Sequence, residues 1–328
     1  MKNKIIAITM GEPGGIGPEV IVKTLYRADI QRCCTPFVIG DTGVMRDAVR
    51  HTGLPLKVRS VSSLSKLKAA RGYIDVLDIG YHPHFKKGVP SKNAGRAVVG
   101  YIKKAVYLAL KGEVSAVVTA PISKESLKLA GYRWPGHTEL LADLTKTKDF
   151  AMMFVGGRLK IILCTIHIPL KNVPGKINKT AVLKTIRLAK KGAGMLGIKN
   201  PEIAVAGLNP HAGESGIMGK EEIRSITPAI KIAAKEGIHV SGPYPPDVIF
   251  HKAFNGDFDL VVSMYHDQGL IPFKMLAFDT GVNVTAGLPI IRTSPDHGTG
   301  FDIAWKNKAK PSSMTEAIKL AAKISSRA

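Results

Sequence analysis

Apolar residues recur along this chain in two alternating rhythms. Short runs rich in Val, Ile and Leu, at residues 4–9, 36–40, 74–79, 114–119, 160–166, 203–206, 259–264 and 281–285, have the length of buried strands. Between them apolar positions fall at helical spacing. Ile21, Leu25 and Ala28 mark one face, Val98, Ile102, Ala105 and Ala109 a second, and Leu183, Ile186 and Ala189 a third; residues 221–235 and 314–324 carry two more. Strand, loop and helix in regular succession predict an α/β architecture with a largely parallel sheet. Gly156-Gly157, between the runs 152–155 and 159–163, reads as a hairpin turn, so the sheet is expected to be mixed. A length of 328 residues is about twice that of a usual single domain and predicts two domains or one large α/β unit.

The loops are glycine-rich but match neither common nucleotide fingerprint. Residues 11–17 read GxxGGxG after the first strand, where a Rossmann turn needs GxGxxG, and no GK[ST] follows. Pro18 and Glu19 then suit the first turn of a helix, because Pro lacks only a donor that is unpaired there anyway. Residues 213–219 form a second such loop. The glycines imply tight turns or close backbone approach without identifying what approaches.

An apolar fraction of 45% with 22% charged residues describes a packed globular chain. No apolar run approaches the ~20 residues needed to cross a bilayer, and the first residues are too briefly apolar for a secretion signal. Cys33, Cys34 and Cys164 include no CxxC pair, which argues against a disulfide scaffold or a zinc ribbon. The expectation is a cytoplasmic protein with no membrane partner. Forty-seven basic residues against 25 acidic give a formal charge of +22, a field that concentrates anions. The lysines are scattered over the helices without a run of five, and aromatics are only 6%, so nucleic acid is not an expected partner. A small anionic substrate would gain from the same field.

Three histidines share one setting. His167, His211 and His266 each lie just past the carboxyl end of an apolar run, where the loops of an open α/β sheet converge on ligands. Three imidazoles gathered there could hold one divalent ion and leave a coordination position open. Equally, each could cap its own strand. Asp247 and Asp267 are candidate acceptors that would fix a histidine tautomer, or simply turn residues. His137 and His297 sit in dense polar turns. Thr138 is positioned to cap the helix that follows, so that turn reads either as an anion site at a helix N-terminus or as a plain cap.

Taken together, residues 11–19, 135–139, 165–169, 207–213, 264–269 and 287–300 strongly resemble the 4-hydroxythreonine-4-phosphate dehydrogenase family of pyridoxal phosphate biosynthesis. "LNPHAGE", "MYHDQGL" and "GLPIIRTSPDHGTG" are long and unusual, and the match runs from Thr9 to about Trp305. A weaker similarity, in the "GIGPE" loop, extends to isopropylmalate and isocitrate dehydrogenases, which bind NAD(P) without a Rossmann fingerprint. The resemblance implies two α/β/α domains of isopropylmalate-dehydrogenase type, at about residues 1–125 with 285–328 and 126–284, and an active site in the interdomain cleft. It implies that His167, His211 and His266 hold one divalent ion (zinc, magnesium, cobalt or manganese), with one ligand supplied by the partner subunit of a homodimer. His137, Thr138, Lys274, Asn283 and Arg292 match substrate-binding positions. A Lys and an Arg with an Asn donor are also what a phosphate monoester requires. Ile16, His297, Gly298 and Asp302 correspond to the NAD or NADP side.

The implied chemistry is metal-assisted oxidation of a secondary hydroxyl, with hydride passing to nicotinamide, then loss of carbon dioxide from the β-keto acid. For 4-phosphohydroxy-L-threonine the product is 3-amino-2-oxopropyl phosphate. A paralogous dehydrogenase for 4-phospho-D-threonate or 4-phospho-D-erythronate would keep the same residues, and three histidines with an aspartate would also suit a metal hydrolase. The chain departs from the family pattern at Glu12 (usually Asp), Gly14 (Ala) and Ser215 (Gly). Gly300, Trp305 and Asn307 break the typical "GTAFDIAGKG" stretch. None of these is an inferred metal or phosphate residue.

Overall fold

The computed structural model describes residues 4–68, 70–82 and 84–327. Its strands are β1 (Ile5–Thr9), β2 (Thr35–Gly40), β3 (Lys57–Val61), β4 (Tyr73–Asp78), β5 (Ala116–Thr119), β6 (Ala151–Gly156), β7 (Leu159–Leu163), β8 (Ile203–Ala206), β9 (Val240–Tyr244), β10 (Leu260–Ser263), β11 (Val282–Ala286) and β12 (Arg292–Pro295). The helices are α1 (Gly17–Leu25), α2 (Ala28–Cys33), α3 (Thr42–Thr52), α4 (Lys92–Leu110), α5 (Lys124–Leu129), α6 (His137–Leu144), α7 (Val173–Lys176), α8 (Lys179–Met195), α9 (Thr227–Lys235), α10 (Pro246–Asn255), α11 (His266–Ala277) and α12 (Ser312–Ser325). Among the described residues no helix is long and apolar enough to cross a membrane. Two compact units result, one of residues up to 147 with 288–326, the other of residues 148–287.

In the first unit the strand order is β3-β4-β2-β1-β5-β12, and every pairing is parallel. β1 is central, with Ile6 opposite Pro36 on one side and Ala116 on the other. Ile6, Ala7 and Ile8 are all fully buried, the unbroken apolar run expected of a strand covered on both faces. Local chemistry sets the helix ends. Asp41 caps α3 by accepting from the Val44 amide at 2.7 Å, and Gly53, at φ +68°, closes it.

Residues 126–147, expected in the second domain, belong to the first unit. Gly95 explains why: a Cβ there would lie 2.1 Å from the Ser126 carbonyl oxygen, so α4 and α5 pack backbone to backbone. The Ser126 hydroxyl also accepts from the Ser91 amide at 3.0 Å. At the other boundary, residues 285–287 stay with the second unit, because β11 pairs as far as Ala286 opposite Ala151.

The second unit has the order β11-β6-β7-β10-β8-β9. β6 and β7 form the expected hairpin, with Gly156 opposite Leu159, and β11 joins β6 antiparallel. β7, β10, β8 and β9 run parallel, so the sheet is mixed. Its core gathers Phe154, Leu159, Ile161, Val261 and Phe273, with the rings of Phe154 and Phe273 5.7 Å apart. The run 160–166 ends as a strand at Leu163. Residues 221–235 form a π-helical turn, Glu222–Ile226, leading into α9. β3, β9 and β12 lie outside the strand-like runs of the sequence: β3 is polar, Gly242 and Pro243 interrupt β9, and β12 opens on Arg292.

Candidate active site

β7, β10 and β8 are adjacent and parallel, so the loops carrying His167, His266 and His211 leave the sheet at one edge. The first two loops are stitched together. Cys164 and Thr165 donate from their amides to the carbonyls of Ser263 and Met264 at 2.8 and 3.1 Å, and the Thr165 hydroxyl also donates to Met264 O at 2.8 Å. The His167 and His266 rings consequently stand 5.5 Å apart. They line a cleft of about 340 Å³ with Ile166, Ile168, Tyr265 and Asp267. His266 Nδ1 is 2.7 Å from Asp267 Oδ1, a contact that would place the ring proton on Nδ1. Asp247 is exposed in the first turn of α10.

His211 occupies an unusual backbone. Residues 211–215 all have positive φ, between 42° and 83°, a left-handed turn that only Gly213 adopts without strain. Two buried side chains the sequence did not single out hold this loop. Glu222 Oε1 accepts from the amides of Leu208 and Asn209, both at 2.8 Å, and Oε2 accepts from Asn209 Nδ2 at 2.9 Å. Gln268 donates to Gly207 O. The signal for Glu222 was present only as an acid inside an apolar helical stretch. The three imidazoles do not converge as a set of ligand atoms within 4.8 Å among the described residues of the single chain.

The carboxylate–imidazole group that does converge within 4.8 Å is Asp41, Asp78 and His82, at the carboxyl ends of the adjacent strands β2 and β4. Its oxygens already serve the backbone: Asp78 accepts from Thr42 N at 2.9 Å and Gly80 N at 3.0 Å. Asp41 caps α3 and reaches His82 Nδ1 at 2.6 Å. His82 is exposed but has its pKa raised by that hydrogen bond and the charge of Asp41.

In the first unit, Arg292 opens β12 with its guanidinium buried. Its Nε and Nη2 donate to Thr119 Oγ1 at 3.2 and 2.7 Å. Burial pulls its pKa down to about 9, against the opposing pull of Glu139. His137 is the first residue of α6. Burial, and secondarily the charge of Arg292, hold its imidazole neutral well below the ordinary histidine range. Its Nε2 is enclosed, with no hydrogen-bond partner among the described residues. Gly136, not Thr138, is the N-cap, so the start of α6 has no side-chain cap and Thr138 lies buried in the first turn. A buried cation, an enclosed imidazole nitrogen and an uncapped helix start are together suited to an anion. In the second unit Lys274 lies on α11, and Asn283, the second residue of β11, has its Oδ1 buried without a hydrogen-bond partner among the described residues.

Ile16 and the 297–302 segment meet directly: Ile16 N donates to Thr299 O at 3.0 Å, and His297 Nδ1 lies 3.1 Å from Gly298 O, with Asp302 exposed beyond. The departures at Ser215, Trp305 and Asn307 fall at φ +55°, +57° and +59°, which explains why glycine is usual there. Trp305 is held by its indole N–H donating to Pro13 O at 3.0 Å, with Lys87 Nζ 4.3 Å from its ring centre.

Comparison with known proteins matches the described geometry to one family. The chain is 48% identical over 321 residues to a 4-hydroxythreonine-4-phosphate dehydrogenase of Desulforapulum autotrophicum, covering 97% of this chain and 94% of the relative. It is 44% identical to a D-threonate 4-phosphate dehydrogenase of Pectobacterium atrosepticum, covering 98% and 99%. The crystal structure of a 4-hydroxythreonine-4-phosphate dehydrogenase from Klebsiella pneumoniae superposes with a TM-score of 0.92 at 42% identity, covering 99% and 98%. Residues 32–321 match the family model described as pyridoxal phosphate biosynthetic protein PdxA, and the chain belongs to that family.

Proposed function

We propose that this chain oxidises 4-phosphohydroxy-L-threonine with NAD or NADP, and that the resulting β-keto acid loses carbon dioxide to give 3-amino-2-oxopropyl phosphate for pyridoxal 5'-phosphate formation. The observation that carries this reading is the buried guanidinium of Arg292 beside an imidazole, His137, whose Nε2 is enclosed and unpartnered. A phosphate dianion would give the buried Arg292 cation a counter-charge and a hydrogen-bond acceptor and would meet His137 Nε2, with the first-turn amides near Thr138 as further donors. Lys274 and Asn283 are assigned to the same substrate.

The donor set of His167, His211 and His266 fits a divalent ion that accepts imidazole nitrogen, such as zinc, cobalt or manganese, better than it fits magnesium, which takes oxygen ligands. Such an ion would lower the pKa of the substrate hydroxyl and absorb charge during decarboxylation. Asp267 keeps His266 Nδ1 protonated and Nε2 available. Two of the three rings approach one another in the single chain, which accords with a site completed across a homodimer. The apolar face of α11 supports that assembly: Ile271, Met275 and Phe278 are 60%, 82% and 74% exposed, on or just beyond the helix that begins with His266. Ile16, His297, Gly298 and Asp302 are assigned to the dinucleotide, whose nicotinamide accepts the hydride. The cytoplasm is the compartment this metabolism implies.

A second reading, oxidation of D-threonate 4-phosphate, is favoured by the 44%-identical Pectobacterium relative. Nicotinamide reduction measured with each phosphorylated substrate, with and without chelator, separates the two. Chelator-sensitive turnover of phosphohydroxythreonine at the higher kcat/KM is expected. Preference for the threonate transfers the assignment to the second reading, and phosphate release without nicotinamide reduction overturns both.

A further inference from the structure

Cys33 ends α2 and Cys34 follows it at the entrance to β2, with their Sγ atoms 3.9 Å apart. Cys33 is exposed, whereas Cys34 is fully buried. Both thiols lie against one acceptor, the Ile30 carbonyl, at 3.2 and 3.5 Å, which orients the two sulfurs over the same turn of backbone. The arrangement thus pairs a solvent-facing sulfur with a second sulfur that reagents cannot reach but its neighbour can. The sulfur–sulfur hydrogen bond lowers the Cys33 pKa, against the opposing effect of burial, and raises that of the enclosed Cys34, so of the pair Cys33 ionises first. Cys164, by contrast, has its pKa raised by burial.

We propose that Cys33 is a peroxide-reactive thiol and Cys34 its resolving partner, so that the pair closes reversibly into a disulfide between adjacent residues. The thiolate of Cys33 attacks one oxygen of hydrogen peroxide, forming an S–O bond as the O–O bond breaks and hydroxide leaves; Cys33 becomes a sulfenic acid. The sulfur of Cys34 then displaces the hydroxyl from Cys33 sulfur, the S–S bond forms, and the Cys34 proton leaves with that oxygen as water. The peroxide is reduced and the two thiols are oxidised. Adjacent Cα atoms stand about 3.8 Å apart across a trans peptide, inside the ~4.4 Å lower limit of ordinary disulfides. The product is therefore strained and readily reduced by small thiols.

The test treats the intact protein with equimolar hydrogen peroxide in the presence of dimedone, followed by intact-mass measurement and peptide mapping. The native chain is expected to lose two hydrogens within the Cys33–Cys34 peptide, take up no dimedone there, and regain its mass with dithiothreitol. Cys34→Ser should instead trap dimedone on Cys33. Without any variant, Cys33 should be alkylated by iodoacetamide about tenfold faster than Cys164 at neutral pH. A dimedone adduct on Cys33 of the native chain, or oxidation of Cys164 ahead of Cys33, overturns the proposal.

Discussion

The side-chain amide of Gln268 donates to the Gly207 carbonyl at 2.7 Å, tying the root of the His211 loop to the helix that begins with His266. The same amide accepts from Met264 N through Oε1, also at 2.7 Å. One buried residue thus joins the loops after β8 and β10, and with the Thr165–Met264 bond all three histidine loops share a single network.

Gln268→Leu keeps the side-chain bulk but leaves the Gly207 carbonyl and the Met264 amide without their partner. A loss of about 2–3 kcal/mol is expected, together with a fall in kcat/KM of about 10- to 100-fold if the histidines act together. Urea unfolding and steady-state kinetics check the two effects separately. A variant with native kinetics would show that the loops need no such tie.

Glu222 serves the same loop from beneath. Glu222→Ala removes the acceptor for two amides and one carboxamide, for an expected cost of about 2–4 kcal/mol. Glu222→Gln retains an oxygen where both amides converge but turns an NH2 toward Asn209 Nδ2, and should lose about 1–2 kcal/mol, less than the alanine variant. Metal affinity by chelator competition should track this order, because positive-φ residues 211–215 relax when the clamp is lost.

Arg292 is a cation held in the core, so its removal should separate stability from function. Arg292→Met is expected to leave the protein as stable as the native chain, or about 1 kcal/mol more stable, while KM for the phosphorylated substrate rises about 100-fold or more. In the same variant the His137 pKa should move upward, since the charge of Arg292 is one of the two influences depressing it. Histidine ring NMR against pH reads that shift, and inorganic phosphate added to the native chain should raise it likewise.

Glu12 makes a pH prediction. Its carboxyl is fully buried, and burial lifts its pKa from 4.5 to about 7. The fold therefore favours the protonated acid. Its contribution is complete below pH 4.5 and is lost as pH rises through about 7, amounting to about 3 kcal/mol by pH 8. Glu12→Gln should flatten this part of the Tm–pH profile. An unchanged slope between about pH 4.5 and 7 in the variant would place the titrating group elsewhere.

The glycine departures make a further one. Asn307→Gly, at an exposed left-handed position, should raise stability by about 0.5 kcal/mol. Trp305→Gly relieves the same kind of strain but empties a packed site, for a net loss of about 2–3 kcal/mol in thermal or urea unfolding.

Much of the fold was legible. Central strands such as β1 and β8 are short apolar runs because both faces are covered, and the Gly156-Gly157 hairpin shows in its turn residues. Edge and irregular strands were not legible: β3 has polar residues on an exposed edge, and β12 begins with an arginine whose burial nothing local announces. The domain boundary near residue 125 was misplaced because the close approach at Gly95 is a tertiary fact. For the site, family motifs singled out residues whose mutual spacing along the chain carries no signal. Glu222 and Gln268, by contrast, are polar residues that looked like ordinary helix members.

By itself the sequence determined the α/β succession, the hairpin, and which loops bear imidazoles, because hydrophobic period and turn chemistry are local properties. Only the tertiary structure decided that His167 and His266 stand 5.5 Å apart, that Arg292 is a desolvated cation beside His137, and that two adjacent thiols divide into one exposed and one enclosed. Distance, dielectric and accessibility belong to neighbours that the fold brings from elsewhere in the chain, and those neighbours are what turn a residue type into a chemical function.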